Sequence, residues 1–136
     1  MFQHRIENKI LKIHGAALCA VGLIFVGLIT LGRICGWGIF RFLKENQIAS
    51  IGFFEAFLLA SVLGLFLLSS STLEKTKNWN YLAATIHLVL AVTNIIFWNF
   101  YEVVDGEIPG TIATIFHFVM IGVEGWAGNK NASRYK

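Results

Sequence analysis

Four long apolar stretches dominate the sequence, and nearly every charged residue falls in the short segments between them. A bilayer core about 30 Å thick is crossed by a helix of roughly 20 predominantly apolar residues. The stretches at about 13–32, 51–70, 81–101 and 109–127 reach that length. The pattern therefore predicts four transmembrane helices, which short connections join into an antiparallel, up-down four-helix bundle. We expect this all-α, integral membrane bundle to form a single domain over residues 1–136.

A shorter apolar segment follows the first stretch. Arg33 interrupts the apolar run, which resumes over about 34–43 and is too short to cross a bilayer again. Trp side chains are enriched at headgroup depth, and the long side chains of Arg and Lys reach water from there. We therefore predict an interfacial segment at 34–43, with Trp37 among the headgroups and with Arg33, Arg41 and Lys44 reaching water.

Composition agrees with a membrane protein. Hydrophobic residues make up 56% of the chain, charged residues make up 14%, and the mean hydropathy is +0.66, values that soluble domains rarely reach. The net charge of +3 is explained by the connections between the spans and by anionic lipid headgroups. The expected partner is accordingly the lipid bilayer, and no nucleic-acid partner is predicted.

The distribution of Lys and Arg predicts an orientation. Four spans put both termini on one side, together with the connection between the second and third spans. That side carries eight basic residues, which are Arg5, Lys9, Lys12, Lys75, Lys77, Lys130, Arg134 and Lys136. The other side carries three, which are Arg33, Arg41 and Lys44. Because short cytoplasmic connections are enriched in Lys and Arg, both termini are predicted in the cytoplasm, with the protein in an inner or plasma membrane. The acidic connection at 102–107, which has no basic residue, agrees with this orientation.

Small residues on the first two spans predict helix packing. The second span has a small residue at every fourth position, namely Gly52, Ala56, Ala60 and Gly64. The first span has Ala16 and Ala20, followed by Gly32 and Gly36. Because small side chains let helix backbones approach closely, the two spans are expected to pack together. The same stripe of small residues is also compatible with a homo-oligomer or with a larger membrane complex.

Five polar residues inside the predicted spans are the candidate site residues, because hydrocarbon makes such residues costly. They are Glu55, His87, Asn94, His117 and Glu124. Depths counted at 1.5 Å per residue place Glu55, Asn94 and His117 at a similar level in the outer half of the membrane. These three residues are therefore expected to form one hydrogen-bonded cluster, with His87 and Glu124 nearer the cytoplasmic boundary. The cluster has two open interpretations, which are interhelical packing and a site for a ligand, proton or cofactor.

The sequence does not identify a cofactor. The depths of His87 and His117 differ by about 7 Å, which is too much for two axial ligands of one haem iron unless a helix shifts by a turn. No span carries a Glu-x-x-His or His-x-x-x-His spacing, so no metal site is predicted. Neither a Gly-rich phosphate loop nor a nucleophile at a recognisable spacing from a base is present in the sequence.

Three functional hypotheses follow, and a non-enzymatic role is favoured over an enzymatic one. The first is a small polytopic membrane protein without an evident enzymatic motif, acting as an accessory or structural component. The second is a redox or lipid-ligand-binding protein that holds haem, a quinone or a lipid through His117 and Glu55. The third is a component of a proton or ion pathway.

Overall fold

The computed structural model describes residues 6–72, 76–104 and 107–132, and no strand occurs among them. The α-helices in chain order are α1 (Ile6–Cys35), α2 (Gln47–Ser70), α3 (Thr76–Ile96), α4 (Trp98–Val103) and α5 (Glu107–Ala132). A 3₁₀ helix, Gly38–Lys44, connects α1 to α2. The predicted all-helical class is therefore confirmed over the described residues.

Four helices are long and apolar enough to cross a membrane. The qualifying segments are Asn8–Cys35, Gln47–Ser70, Asn78–Ile96 and Gly110–Lys130. Each coincides with one of the four apolar stretches, although the third ends earlier than predicted. The backbone leaves the helical conformation at Phe97 (φ −100°, ψ 28°), and the short helix α4 begins at the next residue. The orientation prediction also depends on Arg5, Lys75, Arg134 and Lys136, and those four residues lie outside the described ranges.

The chain divides into two compact units, and each is described by itself. Residues Lys12–Ser71 form the α1–α2 unit, which contains most of α1, the 3₁₀ helix and α2. The described residues within Met1–Leu11 and Thr72–Lys136 form the α3–α5 unit, which contains the first residues of α1 together with α3, α4 and α5.

In the α1–α2 unit the two long helices are in backbone contact through small residues. A Cβ atom added at Gly15 would lie 2.7 Å from Gly64 O, and one added at Gly22 would lie 2.6 Å from Phe57 O. Contacts move backward along α2 as they move forward along α1, so the helices are antiparallel. The thiol of Cys19 lies between these two contacts and donates to a carbonyl of α2 at 3.3 Å. This close contact surface is called the α1–α2 seam.

The predicted stripe of small residues only partly coincides with the seam. Gly64 lies in the seam, whereas Gly52 and Ala56 are exposed, as are Ala16 and Ala20 on α1. The predicted packing of the first two spans against each other is therefore confirmed, whereas four of the small residues named for it are exposed. With 3.6 residues per turn, positions spaced by four drift by about 40° per step, so a long four-residue stripe turns away from a straight partner.

The 3₁₀ helix packs against this pair through an aromatic cluster. Phe40 and Leu43 are buried together with Ile29 of α1. The ring of Phe25 stacks on Phe57 at 4.7 Å between centroids and meets Phe40 edge-on at 5.7 Å. The segment that follows α1 is therefore anchored to both helices.

Local backbone chemistry sets the ends of this connection. Gly36 and Gly38 have φ values of +71° and +75°, a left-handed conformation that favours glycine and ends α1. The side chain of Asn46 then accepts a hydrogen bond from Ala49 N–H at 3.1 Å and caps the start of α2.

In the α3–α5 unit the two long helices also run antiparallel, and tyrosine rings pack on glycines at both ends of the pair. A Cβ atom added at Gly128 would lie 3.0 Å from the ring of Tyr81. At the other end, a Cβ atom added at Gly110 would lie 2.8 Å from the ring of Tyr101 in α4. Between these contacts the interface holds several polar side chains.

Candidate functional site

Two histidines face each other across the interface between α3 and α5. The Nδ1 atoms of His87 and His117 are 2.8 Å apart, and the ring centroids are 5.1 Å apart. At this distance one Nδ1 carries a hydrogen and donates it to the Nδ1 lone pair of the other ring. The His87 side chain is only 2% exposed. The structure therefore contains a partly buried imidazole–imidazole hydrogen bond, which leaves Nε2 of each ring outside the contact.

This contact corrects the sequence-based depth estimate, which separated His87 from His117 by about 7 Å. The estimate counted Cα positions along straight helices perpendicular to the membrane. Side chains also reach along a helix, and packed helices tilt, so two rings can meet although their Cα atoms lie about one turn apart.

The surroundings of the histidine pair are mainly apolar. Phe116 meets the ring of His87 edge-on at 5.7 Å between centroids. Ala83 and Ala91, one helical turn to either side of His87, are buried. In such a low-dielectric environment a hydrogen bond is stronger than in water, and a charge is more costly.

A second polar group lies about 10 Å further along α3, since Asn94 is seven residues beyond His87. The Asn94 amide donates to Thr114 Oγ1 at 3.2 Å, and Tyr101 OH donates to Asn94 Oδ1 at 3.0 Å. The Thr114 hydroxyl in turn donates to Gly110 O at 2.8 Å. Thr114 was missing from the predicted site, although its position three residues before His117 on one helix face would have indicated it.

A third polar group lies at the opposite end of the interface. Glu124 and Asn80 are both fully buried. Glu124 follows His117 by seven residues and Asn80 precedes His87 by seven, which is about 10 Å along each helix. The register that joins the histidines therefore places Asn80 and Glu124 at a common level. Asn80 was not among the predicted residues because the predicted third span began one residue later.

The fifth candidate residue lies in the other unit. Glu55 belongs to α2 of the α1–α2 unit, and its side chain is exposed. It is the sole Asp, Glu, Lys, Arg or His within α2. Asn94 and His117 share the α3–α5 unit but belong to separate hydrogen-bonded groups. The expected cluster of Glu55, Asn94 and His117 is thus distributed over both units.

The geometry bears on the proposed cofactors. Among the described residues, no group of three or more His, Cys, Asp or Glu side chains gathers to hold a metal ion. A metal ion centred between two imidazoles needs two metal–nitrogen bonds, and at the roughly 2.0–2.1 Å typical of zinc the two nitrogens are about 4 Å apart. The Nδ1 atoms of His87 and His117 are closer than that, at 2.8 Å. This arrangement suits a shared hydrogen and does not fit axial ligation of haem through the facing nitrogens.

Chemically, the α3–α5 interface carries imidazole and carboxyl side chains, which are among the residue types that most often donate and accept protons in proteins. Comparison of the chain with family models, curated proteins and solved structures finds no match. A functional conclusion therefore depends on the geometry of the site itself.

Proposed function

We propose that this chain is an integral membrane protein and that its α3–α5 unit is a component of a proton pathway. The observation that carries the proposal is the 2.8 Å contact between Nδ1 of His87 and Nδ1 of His117, both within candidate membrane spans. Ionisable side chains are rare in membrane-spanning helices, and chains of His, Glu and Asp there are typical of proton relays. A polar bond between membrane helices contributes only about 1 kcal/mol, so packing alone is a weak reason to place two imidazoles between them.

The paired rings provide a route for one proton. In the neutral pair the first ring is protonated at Nδ1 and not at Nε2, and the second ring is protonated at Nε2 and not at Nδ1. A proton that binds Nε2 of the first ring makes that ring an imidazolium, which passes its Nδ1 hydrogen to Nδ1 of the second ring. The second ring then releases its Nε2 hydrogen. One proton has entered and one has left, and the hydrogen bond now runs in the opposite direction.

Because the hydrogen bond is reversed after each transfer, the pair carries one proton at a time. A second proton cannot follow in the same direction until the two rings have restored their original tautomers. Glu124, two turns from His117 and fully buried, is the further proton-binding group on this interface. Tyr81 and Lys130 are the other titratable residues of the two spans and lie near the end where α3 begins and α5 ends. We propose that water molecules connect the pair of His87 and His117 to Glu124 across the roughly 10 Å between them.

Proton flux into proteoliposomes tests the proposal. The purified full chain is reconstituted into vesicles that contain a pH-sensitive dye, and a potassium gradient with valinomycin sets an inside-negative potential. We expect faster internal acidification than in vesicles without protein. His117→Gln keeps a side chain that can hydrogen-bond to His87 but cannot relay a proton through two ring nitrogens, so the flux should fall to the background rate.

Thr114→Val is the matched control. This substitution removes a hydroxyl group from the same interface with little change in volume, and it leaves every titratable residue in place. Flux should persist in this variant. Parent protein that conducts no faster than empty vesicles would refute the proton pathway, and so would a His117→Gln variant that conducts like the parent.

The second candidate function is that of an accessory subunit or a self-associating protein. The exposed carboxyl group of Glu55, beside the exposed Gly52 and Ala56 on an apolar helix, favours it. A charged side chain within a membrane helix is costly, by up to about 2.5–3.5 kcal/mol at the helix centre, so a partner that covers this face would be stabilising. Native mass spectrometry in mild detergent should then show a second copy or a stoichiometric partner, and a lone chain would speak against this candidate.

A further inference from the structure

The connection between α1 and α2 presents apolar side chains outward next to basic ones. Phe40 and Leu43 are buried in the aromatic cluster and hold the 3₁₀ helix in place. The neighbouring side chains of Trp37 and Ile39 are 73% and 63% exposed. The connection is thus firmly anchored on one side while large hydrophobic side chains stay uncovered on the other.

Basic side chains accompany these exposed residues. Arg33, Arg41 and Lys44 are all exposed. A Cβ atom added at Gly36 would lie 3.1 Å from Lys44 Cδ and 3.7 Å from its Nζ, so the Lys44 chain lies across the end of α1. Arg33 occupies the last turn of the same helix. The carboxyl end of α1 therefore collects positive charge beside the exposed Trp37.

We propose that this surface, which we call the headgroup surface (Arg33, Trp37, Ile39, Arg41 and Lys44), binds the headgroup of an anionic phospholipid. Arginine and lysine meet the lipid phosphate through charge-assisted hydrogen bonds. The Trp37 ring sits at the boundary between headgroups and acyl chains, as Trp side chains do in membrane proteins. Ile39 contacts the upper part of the acyl chains. This inference depends on the membrane insertion proposed above.

The observations favour a phospholipid over other anions. A free phosphate would satisfy the cations and leave Trp37 and Ile39 in water. A phospholipid supplies an anionic and an apolar part side by side. The connection also joins the ends of two candidate membrane spans, Asn8–Cys35 and Gln47–Ser70, which is where a membrane surface would lie. The ligand chemistry and the location therefore agree.

A merely structural role makes a different prediction. Arg33 and Lys44 lie at the carboxyl end of α1, where cations interact favourably with the helix dipole without any lipid. Such a role would change stability but would not discriminate between lipids. The decisive readout is therefore the preference for one headgroup over another.

The experiment titrates the full chain in mild detergent with phosphatidylglycerol or with phosphatidylcholine and follows bound lipid by native mass spectrometry. The parent should retain phosphatidylglycerol in preference to phosphatidylcholine. The double variant Arg41→Gln, Lys44→Gln should retain phosphatidylglycerol about 30-fold more weakly, since each lost charge-assisted hydrogen bond to the phosphate weakens binding by roughly fivefold. The control Lys9→Gln, Lys12→Gln removes two exposed cations near the other end of α1 and should behave like the parent.

Several outcomes would overturn the inference. Equal retention of both lipids by the parent would do so, as would an equal loss in the two double variants. Displacement of the lipid by millimolar inorganic phosphate would indicate a small-anion site instead. Insertion is checked separately by flotation with phosphatidylcholine vesicles and by resistance to carbonate extraction. A chain that fails to insert refutes the proposed function, whereas one that inserts without preferring the anionic lipid refutes only the headgroup surface.

Discussion

Two glycines of α2 have opposite surroundings. A Cβ atom added at Gly64 would lie 2.6 Å from Gly15 O and 2.8 Å from Cys19 N, which are backbone atoms of the opposing helix. A Cβ atom added at Gly52 would meet no atom within 4 Å. Only position 64 therefore needs glycine for packing, although both positions belong to the same stripe in the sequence.

Gly64→Ala should lower the free energy of unfolding by about 1–3 kcal/mol, because the added methyl group forces α1 and α2 apart. Gly52→Ala should leave it unchanged or raise it by up to about 1 kcal/mol, since alanine has the higher helix propensity. Helix content followed by circular dichroism during unfolding in mild detergent measures both. Equal destabilisation by the two substitutions would show that the seam is not where the structure places it.

Part of the candidate site was predictable from the types of single residues. His87, Asn94, His117 and Glu124 were recognisable in the sequence because a polar residue in an apolar run is conspicuous by type alone. The hydrogen bond between His87 and His117 was not predictable, since it depends on the positions of the two rings, which Cα positions alone do not give. The same limit applied to Asn94, whose partners were found only in the structure.

Among the elements, the 3₁₀ helix packs into the aromatic cluster on one side and is exposed on the other. Its sequence alternates between buried and exposed hydrophobic residues, with Phe40 at 6% exposure and Ile39 at 63%. The apolar run was sufficient to predict a segment between the first two spans. Its division into an anchoring side and an exposed side depends on the backbone turn at Gly36 and Gly38.

Phe40→Ala should destabilise the protein by about 3–5 kcal/mol, because it leaves a cavity in the aromatic cluster. Ile39→Ala, which truncates the adjacent exposed side chain, should change stability by less than about 0.5 kcal/mol. Thermal unfolding of the two variants in the same detergent provides the comparison. Similar losses in both would contradict the burial of Phe40 and the exposure of Ile39.

On the scale of the whole molecule, the proposed topology places both termini in the cytoplasm and the α1–α2 connection outside. The two native cysteines are well placed to test it. Cys35 is exposed at the end of α1, whereas Cys19 is partly buried within a candidate span and donates to Ser61 O. A water-soluble thiol reagent should therefore reach the first cysteine and not the second.

A membrane-impermeant maleimide should label Cys35 in intact cells that express the chain, and Cys35→Ser should abolish the labelling. Cys19→Ser should label like the parent, which identifies the reacting residue. Labelling of Cys35 only after the membrane is opened would place the α1–α2 connection in the cytoplasm and reverse the proposed topology. The readout is a mass shift on the purified protein.

The sequence by itself determined the helical class, the positions of four apolar helices and the identity of four polar residues of the α3–α5 interface. These properties are local, because a membrane-length apolar run satisfies its backbone hydrogen bonds within one helix whatever its neighbours are. The tertiary structure alone decided that Gly15 meets Gly64 and that His87 meets His117. The rotation and register between two helices depend on how side chains distant in sequence fit together, and no periodicity within one helix specifies that fit.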